Sequence, residues 1–236
     1  MSATVRYWGV IPAAGTGRRM GSSERPKQYL HLAGRTVLEW AVAPFLEHGA
    51  FERIVVALAP DDIWWRTTRL ANAPQIACVA GGKERAESVR AGLQALAGVA
   101  DPHDWVLVHD AARPCLTREA LQRLVAAVKD EDVGGLLATP VVDTLKRADE
   151  RGYVTETVPR AALWRALTPQ MFRFELLVRA LDAALQQGLC VTDEAQAIEF
   201  LGLRPKLVEC DCDNLKITTP PDLERAARIL AARELR

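Results

Sequence analysis

Five apolar runs of strand length recur along this chain: "VRYWGVI" (5–11), "RIVVALA" (53–59), "QIACVA" (75–80), "DWVLVHD" (104–110) and "GGLLATPVV" (134–142). Runs this continuous suit strands covered on both faces, and helical patterns lie between them. "TVLEWAVAPFLEHG" (36–49) opens with Thr36 and Glu39 at capping-box spacing and closes on Gly49, a helix stop. Pro44 inside it removes a backbone donor and is expected to kink the helix. "ERAESVRAGLQALAG" (84–98) and "TREALQRLVAAVKD" (117–130) place leucine and valine at three- and four-residue spacing, with charge on the other face. This alternation predicts an α/β fold in three layers, a mostly parallel twisted sheet with helices on both faces.

The alternation falters between 141 and 170, where "VVDTLKRADERGYVTETVPR" (141–160) reads as two short polar strands joined at "ERG". A hairpin this hydrophilic does not belong at the centre of a sheet and is marginal alone. It is expected to be a protruding β-arm that leans on another surface, a second copy of the chain being one candidate. Helices are predicted at 174–187 and 193–201, strands in "PKLVECD" and "NLKIT", and a closing amphipathic helix in "PPDLERAARILAAREL". With no repeat in its 236 residues, the whole chain, 1–236, reads as one domain plus this arm.

Lysine plus arginine total 30 and so do aspartate plus glutamate. No overall field draws in nucleic acid or an anionic membrane, so any positive charge that matters is local. No apolar run approaches membrane-spanning length and no basic transit peptide precedes the first strand, so the chain is expected neither to span a membrane nor to be exported. Five cysteines without a regular framework fit a reducing cytoplasm. Cys210 and Cys212 lack a second pair at zinc spacing.

The first strand breaks into "PAAGTGRRM" (12–20), and glycines after a strand aim backbone N–H groups at an anion. It is not a dinucleotide fingerprint, because Met20 stands where the third glycine belongs; nor does the chain hold G-x-x-x-x-G-K-[ST]. What remains is Ala13, Ala14 and Gly15 for close backbone approach, followed by Arg18, Arg19 and Lys27.

Eight segments, "PAAGTGRRM", "PKQYL", "GGKERAESV", "VLVHDAARP", "PVVDTLKR", "RAALWRALTPQMF", "TDEAQAIEFLG" and "DNLKITTPPDL", stand in this order from about Val10 to about Leu223. Together they resemble the 2-C-methyl-D-erythritol 4-phosphate cytidylyltransferase family. That resemblance implies a nucleotidyltransferase fold, transfer of CMP from CTP to a polyol phosphate with release of pyrophosphate, and a homodimer.

Such a reaction brings a phosphomonoester of about −2 against a nucleotide of about −4, and each pair of unit charges at about 4 Å repels by about 4 kcal/mol at an effective dielectric of about 20. Cations must stand between the reactants. The attacking oxygen is already ionised, so positioning and charge compensation suffice without a general base.

The resemblance implies the roles. Arg19, Lys27, Arg160 and Lys216 are the catalytic cations; Ala13, Ala14 and Gly15 form the triphosphate turn. Gly82, Lys83 and Ser88 belong to the cytosine pocket, with Lys83 departing from the acidic residue common there, so that base contacts at this place are expected from the backbone. Asp110 and Ala111 lie beside the nucleotide, Asp110 also near its Mg²⁺, which arrives mainly on the phosphates. Arg113, Thr144, Arg160, Thr168, Thr192 and Lys216 face the acceptor, and Arg160 completes the site of a second copy. Thr192 also reads as a helix N-cap. His109, next to Asp110 on a strand, points to the opposite face and reads as a packing histidine. Ribitol 5-phosphate remains open as an alternative acceptor, since it poses the same electrostatic problem. The missing third glycine argues against a dinucleotide-dependent oxidoreductase, and retention of Arg19, Lys27 and Lys216 argues against a binding module without chemistry.

Overall fold

The computed structural model describes residues 5–15, 25–211 and 213–234, the last without its side chain. Its strands are β1 (Tyr7–Pro12), β2 (His31–Leu32), β3 (Arg35–Thr36), β4 (Phe51–Leu58), β5 (Ile76–Ala80), β6 (Trp105–Val108), β7 (Gly134–Pro140), β8 (Leu145–Ala148), β9 (Val154–Val158), β10 (Trp164–Arg173) and β11 (Lys206–Glu209). The helices are α1 (Val37–His48), α2 (Arg85–Gln94), α3 (Arg118–Val128), α4 (Phe174–Gln186), α5 (Glu194–Phe200) and α6 (Pro220–Glu234).

Seven strands form one sheet in the order β11-β7-β10-β6-β1-β4-β5. The apolar runs split by alternation into two cores, because successive strand residues point to opposite faces. Ile11, Ile54, Val56, Trp105 and Leu107 face one layer with Leu38 and Phe45 of α1 and Leu121 and Leu124 of α3. Val10, Val55, Val106 and Val108 face the other with Val89 and Leu93 of α2 and Leu177 and Leu181 of α4. α2 sits close on β1 because it carries Gly92 there: a Cβ at that place would lie 2.6 Å from Val10 Cγ1. A smaller cluster of Leu32, Val37, Ile217, Ala226 and Leu230 docks α6.

The local signals at α1 are realised. Thr36 Oγ1 accepts from Glu39 N while Glu39 Oε2 accepts from Thr36 N, and Gly49 ends the helix at φ 76°. The helix runs through Pro44 without interruption. Two expectations are corrected. "NLKIT" is not a strand: Leu215 and Ile217 alternate because they dock on the α6 cluster, and the Ile217 N–H donates to Ala112 O in a single contact rather than a ladder. The segment 164–173, given no element from sequence, is the ten-residue strand β10, antiparallel to both β6 and β7 and inserted between them.

Chain order fixes where a ligand cleft opens. From β1 the chain moves to β4 and β5 on one side, then returns to β6 on the other side of β1. These four strands are parallel, so their C-terminal ends lie along one edge, and the loops leaving β1 and β6 diverge. β8 and β9 pair only with each other, as a hairpin outside the main sheet, turning through Gly152 at φ 83°.

Candidate functional site

At that divergence lies a cleft of about 1180 Å³. All four parallel strands feed it: Ala13, Ala14 and Gly15 after β1, Ala59–Asp61 after β4, Gly81–Ser88 after β5 and Asp110–Ala112 after β6. Lys27 and Lys216 complete its wall. The turn after β1 is fastened from behind by Gln28, whose buried Nε2 donates to Ala13 O at 2.8 Å and Gly15 O at 3.2 Å. A Cβ at Gly15 would meet no atom of the described residues within 4 Å. Lys27 Nζ donates to Ile217 O at 2.7 Å, tying the first turn to the loop that carries Lys216, 189 residues later. Arg18 and Arg19 lie outside the described residues.

The loop after β5 is held tightly. Gly82 N donates to Ser88 Oγ at 3.1 Å, Ser88 Oγ donates to Glu84 O at 3.2 Å, and Lys83 N donates to Glu87 Oε2 at 2.7 Å. The Ser88 hydroxyl thus shapes the loop from a buried position, while Gly82 permits the close approach: a Cβ there would lie 2.3 Å from that of Glu87.

Asp110 is the electrostatic centre. It is 6% exposed, and three cations converge on its carboxylate. Arg85 Nε meets Oδ1 at 2.9 Å; Lys216 Nζ and Arg113 Nε meet Oδ2 at 2.9 Å and 3.4 Å. Burial alone would raise its pKa, but Arg85, Lys216 and Arg113 outweigh it and hold the carboxyl well below the usual carboxylate range. Arg85 also grips Glu194, fully buried at the start of α5, through two bonds of 2.5 Å and 3.0 Å. Arg113 donates onward to Asn214 O at 2.8 Å. Arg85, Glu194 and Gln28 were not singled out in the sequence, although "GGKERAESV", "TDEAQAIEFLG" and "PKQYL" contain them.

Behind Asp110 the polar groups admit one proton arrangement. Arg113 O can only accept, so His109 Nε2–H donates to it at 3.1 Å and Nδ1 must accept. Thr168 Oγ–H supplies that bond at 2.9 Å, and Thr168 Oγ accepts from Asp110 N at 3.1 Å. Burial pushes the His109 pKa down to about 4, so the ring is neutral at pH 7. Thr168 is 3% exposed and its single proton goes to His109; the structure therefore turns its hydroxyl into the wall beneath Asp110, away from the cleft.

The remaining expected residues stand apart from the cleft. Thr144 precedes β8 and Arg160 follows β9, both exposed on the hairpin side, where Arg160 donates to Val142 O. Thr192 is exposed, and the N-cap of α5 is Asp193 rather than Thr192: Asp193 Oδ1 accepts from Gln196 N, while the Thr192 hydroxyl donates to Gln196 Oε1. Among the described residues no three His, Cys, Asp or Glu side chains gather as a metal cage, and no helix is long and apolar enough to cross a membrane.

The cleft combines a bare backbone turn with lysines and arginines from segments far apart in the chain, an arrangement fitted to a polyanion. Comparison with known proteins agrees. A family model described as IspD, 2-C-methyl-D-erythritol 4-phosphate cytidylyltransferase, matches residues 8–232. The enzyme of that name from Pseudomonas aeruginosa UCBPP-PA14 is 55% identical over 223 residues, covering 94% of this chain and 95% of its own. Its counterpart from Pseudomonas putida F1 is 54% identical over 219 residues, covering 92% and 93%. A crystal structure of 4-diphosphocytidyl-2C-methyl-D-erythritol synthase superposes with a TM-score of 0.84 at 41% identity, covering 96% of this chain and 99% of that one. The Francisella tularensis enzyme gives 0.82 at 36% identity, covering 95% and 99%. This chain belongs to the 2-C-methyl-D-erythritol 4-phosphate cytidylyltransferase family.

Proposed function

We infer that this protein is a cytidylyltransferase that transfers CMP from CTP to 2-C-methyl-D-erythritol 4-phosphate, giving 4-diphosphocytidyl-2-C-methyl-D-erythritol and pyrophosphate in non-mevalonate isoprenoid precursor synthesis. The observation that carries the reading is the convergence of Lys27, Lys216, Arg85 and Arg113 around the edge where β1 and β6 part.

In this reading the triphosphate lies on the Ala13–Gly15 turn with Lys27 beside it, Arg19 is assigned to the same phosphates by the family resemblance alone, and cytosine enters the pocket walled by Gly82, Lys83 and Ser88. Ala111 and Asp110 border the ribose and phosphates. The acceptor phosphate takes Lys216 and Arg113, both now held by Asp110. An oxygen of that phosphate attacks the α-phosphorus of CTP, and the bond to the bridging oxygen breaks as pyrophosphate leaves with its electron pair. The protein's part is to hold the two anions in line and offset their repulsion.

Mg²⁺ fits the donor set in one way. It prefers several waters, substrate phosphates and one or two carboxylates, and of the carboxylates lining the cleft (Asp61, Glu84, Glu87 and Asp110) Asp110 is the one beside Lys216. When bound, the ion contributes positive charge to the triphosphate.

Thr144 and Arg160 stand outside the cleft lining of their own chain, and Val142, Tyr153 and Val154 leave apolar surface exposed around the hairpin. A second copy of the chain covering this arm would bury that surface and bring Arg160 to a neighbouring acceptor site. The test is product formation by the purified protein, run beside sedimentation velocity. The reading expects pyrophosphate release from CTP with methylerythritol phosphate, little with ribitol 5-phosphate, and activity confined to a dimer. Preference for ribitol 5-phosphate would overturn the acceptor, and a fully active monomer would overturn the role of the arm.

A further inference from the structure

A second cavity, of about 690 Å³, opens on the far side of Lys216, which lines both spaces. Its volume is that of a small-molecule site. Its charge is out of keeping with a chain of zero formal net charge: five arginine or lysine residues border it against two aspartates, Asp213 and Asp222. Asp222 is committed elsewhere, its Oδ2 accepting from the N–H and hydroxyl groups of both Thr218 and Thr219 at 2.8–3.0 Å.

The cations divide into an inner and an outer set. Arg113 and Lys216 lie inside, both on Asp110. Burial lowers the pKa of Arg113 against the pull of Asp110, and Arg85 and Arg165 add smaller contributions in the same direction. Outside stand Arg165 on β10 and Arg225 on α6, both exposed, with Arg228 one turn on and 3.8 Å from Glu224. At the wall, Asn214 is buried, with Nδ2 donating to Thr168 O at 2.6 Å and Oδ1 without a partner among the described residues. Leu167, Leu215 and Ile229 supply apolar surface beside it.

We propose that this cavity is the capture subsite of the acceptor: Arg165 and Arg225 draw in a small, hydroxylated phosphomonoester and hand its phosphate to Arg113 and Lys216. The inference rests on the cytidylyltransferase reading and extends it to two arginines that touch neither the nucleotide cleft nor Asp110. A cavity whose walls carry one sign of charge raises the encounter rate of an oppositely charged ligand, and such steering fades as salt shortens the screening length.

The test uses the full-length protein and the double variant Arg165→Gln/Arg225→Gln, with Arg165→Lys/Arg225→Lys as its charge-retaining partner. The glutamine variant is expected to raise the acceptor KM by about tenfold at low salt, leave the KM for CTP unchanged, and lose most of that difference at about 0.5 M NaCl. The lysine variant is expected to restore the acceptor KM, since capture works through charge. An acceptor KM unmoved in the glutamine variant, or a KM for CTP that rises equally, overturns the proposal. If the wild-type protein makes no product with a polyol phosphate, the functional reading fails by itself. The capture subsite is then decided by calorimetric binding of inorganic phosphate, which must weaken in the glutamine variant and recover in the lysine variant.

Discussion

Replacing Lys216 by alanine is expected to lower turnover by about 10²–10³ while the protein stays folded. Lys216 is the one lysine that lines both cavities, with Nζ 2.9 Å from Asp110 Oδ2. An attacking phosphate and the α-phosphate of CTP must come together between those spaces, and about 4 kcal/mol of repulsion per pair of unit charges opposes them. A preorganised ammonium there acts most strongly when the two phosphates are nearest, so the loss falls on turnover more than on CTP binding. The fold tolerates the change because Asp110 retains Arg85 and Arg113. The check is steady-state pyrophosphate release beside a thermal melt; a folded variant within about threefold of normal turnover would remove Lys216 from the catalytic set.

Arg85→Ala should act on stability, at about 3–5 kcal/mol. Its guanidinium is the partner of Glu194, which is fully buried, and of Asp110 Oδ1. Deleting it leaves one buried carboxylate without a counter-charge and weakens the second, so the cost is that of desolvated charge rather than of a surface pair. The same argument predicts that Arg85→Met combined with Glu194→Leu recovers most of the loss, because the uncompensated charge is gone. Urea unfolding of the three proteins measures this; a single variant within about 1 kcal/mol of the parent would mean that water or another cation already serves Glu194.

How much of this could be read from the chain depends on the range of the interaction. Thr36, Glu39 and Gly49 specify the ends of α1 through contacts a few residues apart, and the structure follows them. β1 and β6 were legible because both their faces are buried, so their apolar runs are nearly unbroken. β10 was not: its first residues are largely exposed and it contains Pro169, which argues against a strand inside a sheet. Its place between β6 and β7 is a tertiary fact. "NLKIT" misled for the converse reason, since its alternation reflects anchoring against α6. Likewise Arg85 and Glu194 lie 109 residues apart, each in a segment that reads locally as a helix start. Their pairing is a matter of topology, as is the withdrawal of the Thr168 hydroxyl to His109.

The account turns on distant lysines and arginines meeting at the C-terminal edge of β1 and β6 to hold two phosphate-bearing molecules. A crystal structure of the full chain with CTP and magnesium examines this most directly. The triphosphate is predicted on the Ala13–Gly15 backbone within hydrogen-bonding reach of Lys27, with the pyrimidine between Gly82 and Ser88 and the α-phosphate turned toward Lys216. Nucleotide density elsewhere, with Lys27 and Lys216 in contact with no phosphate oxygen, would contradict it.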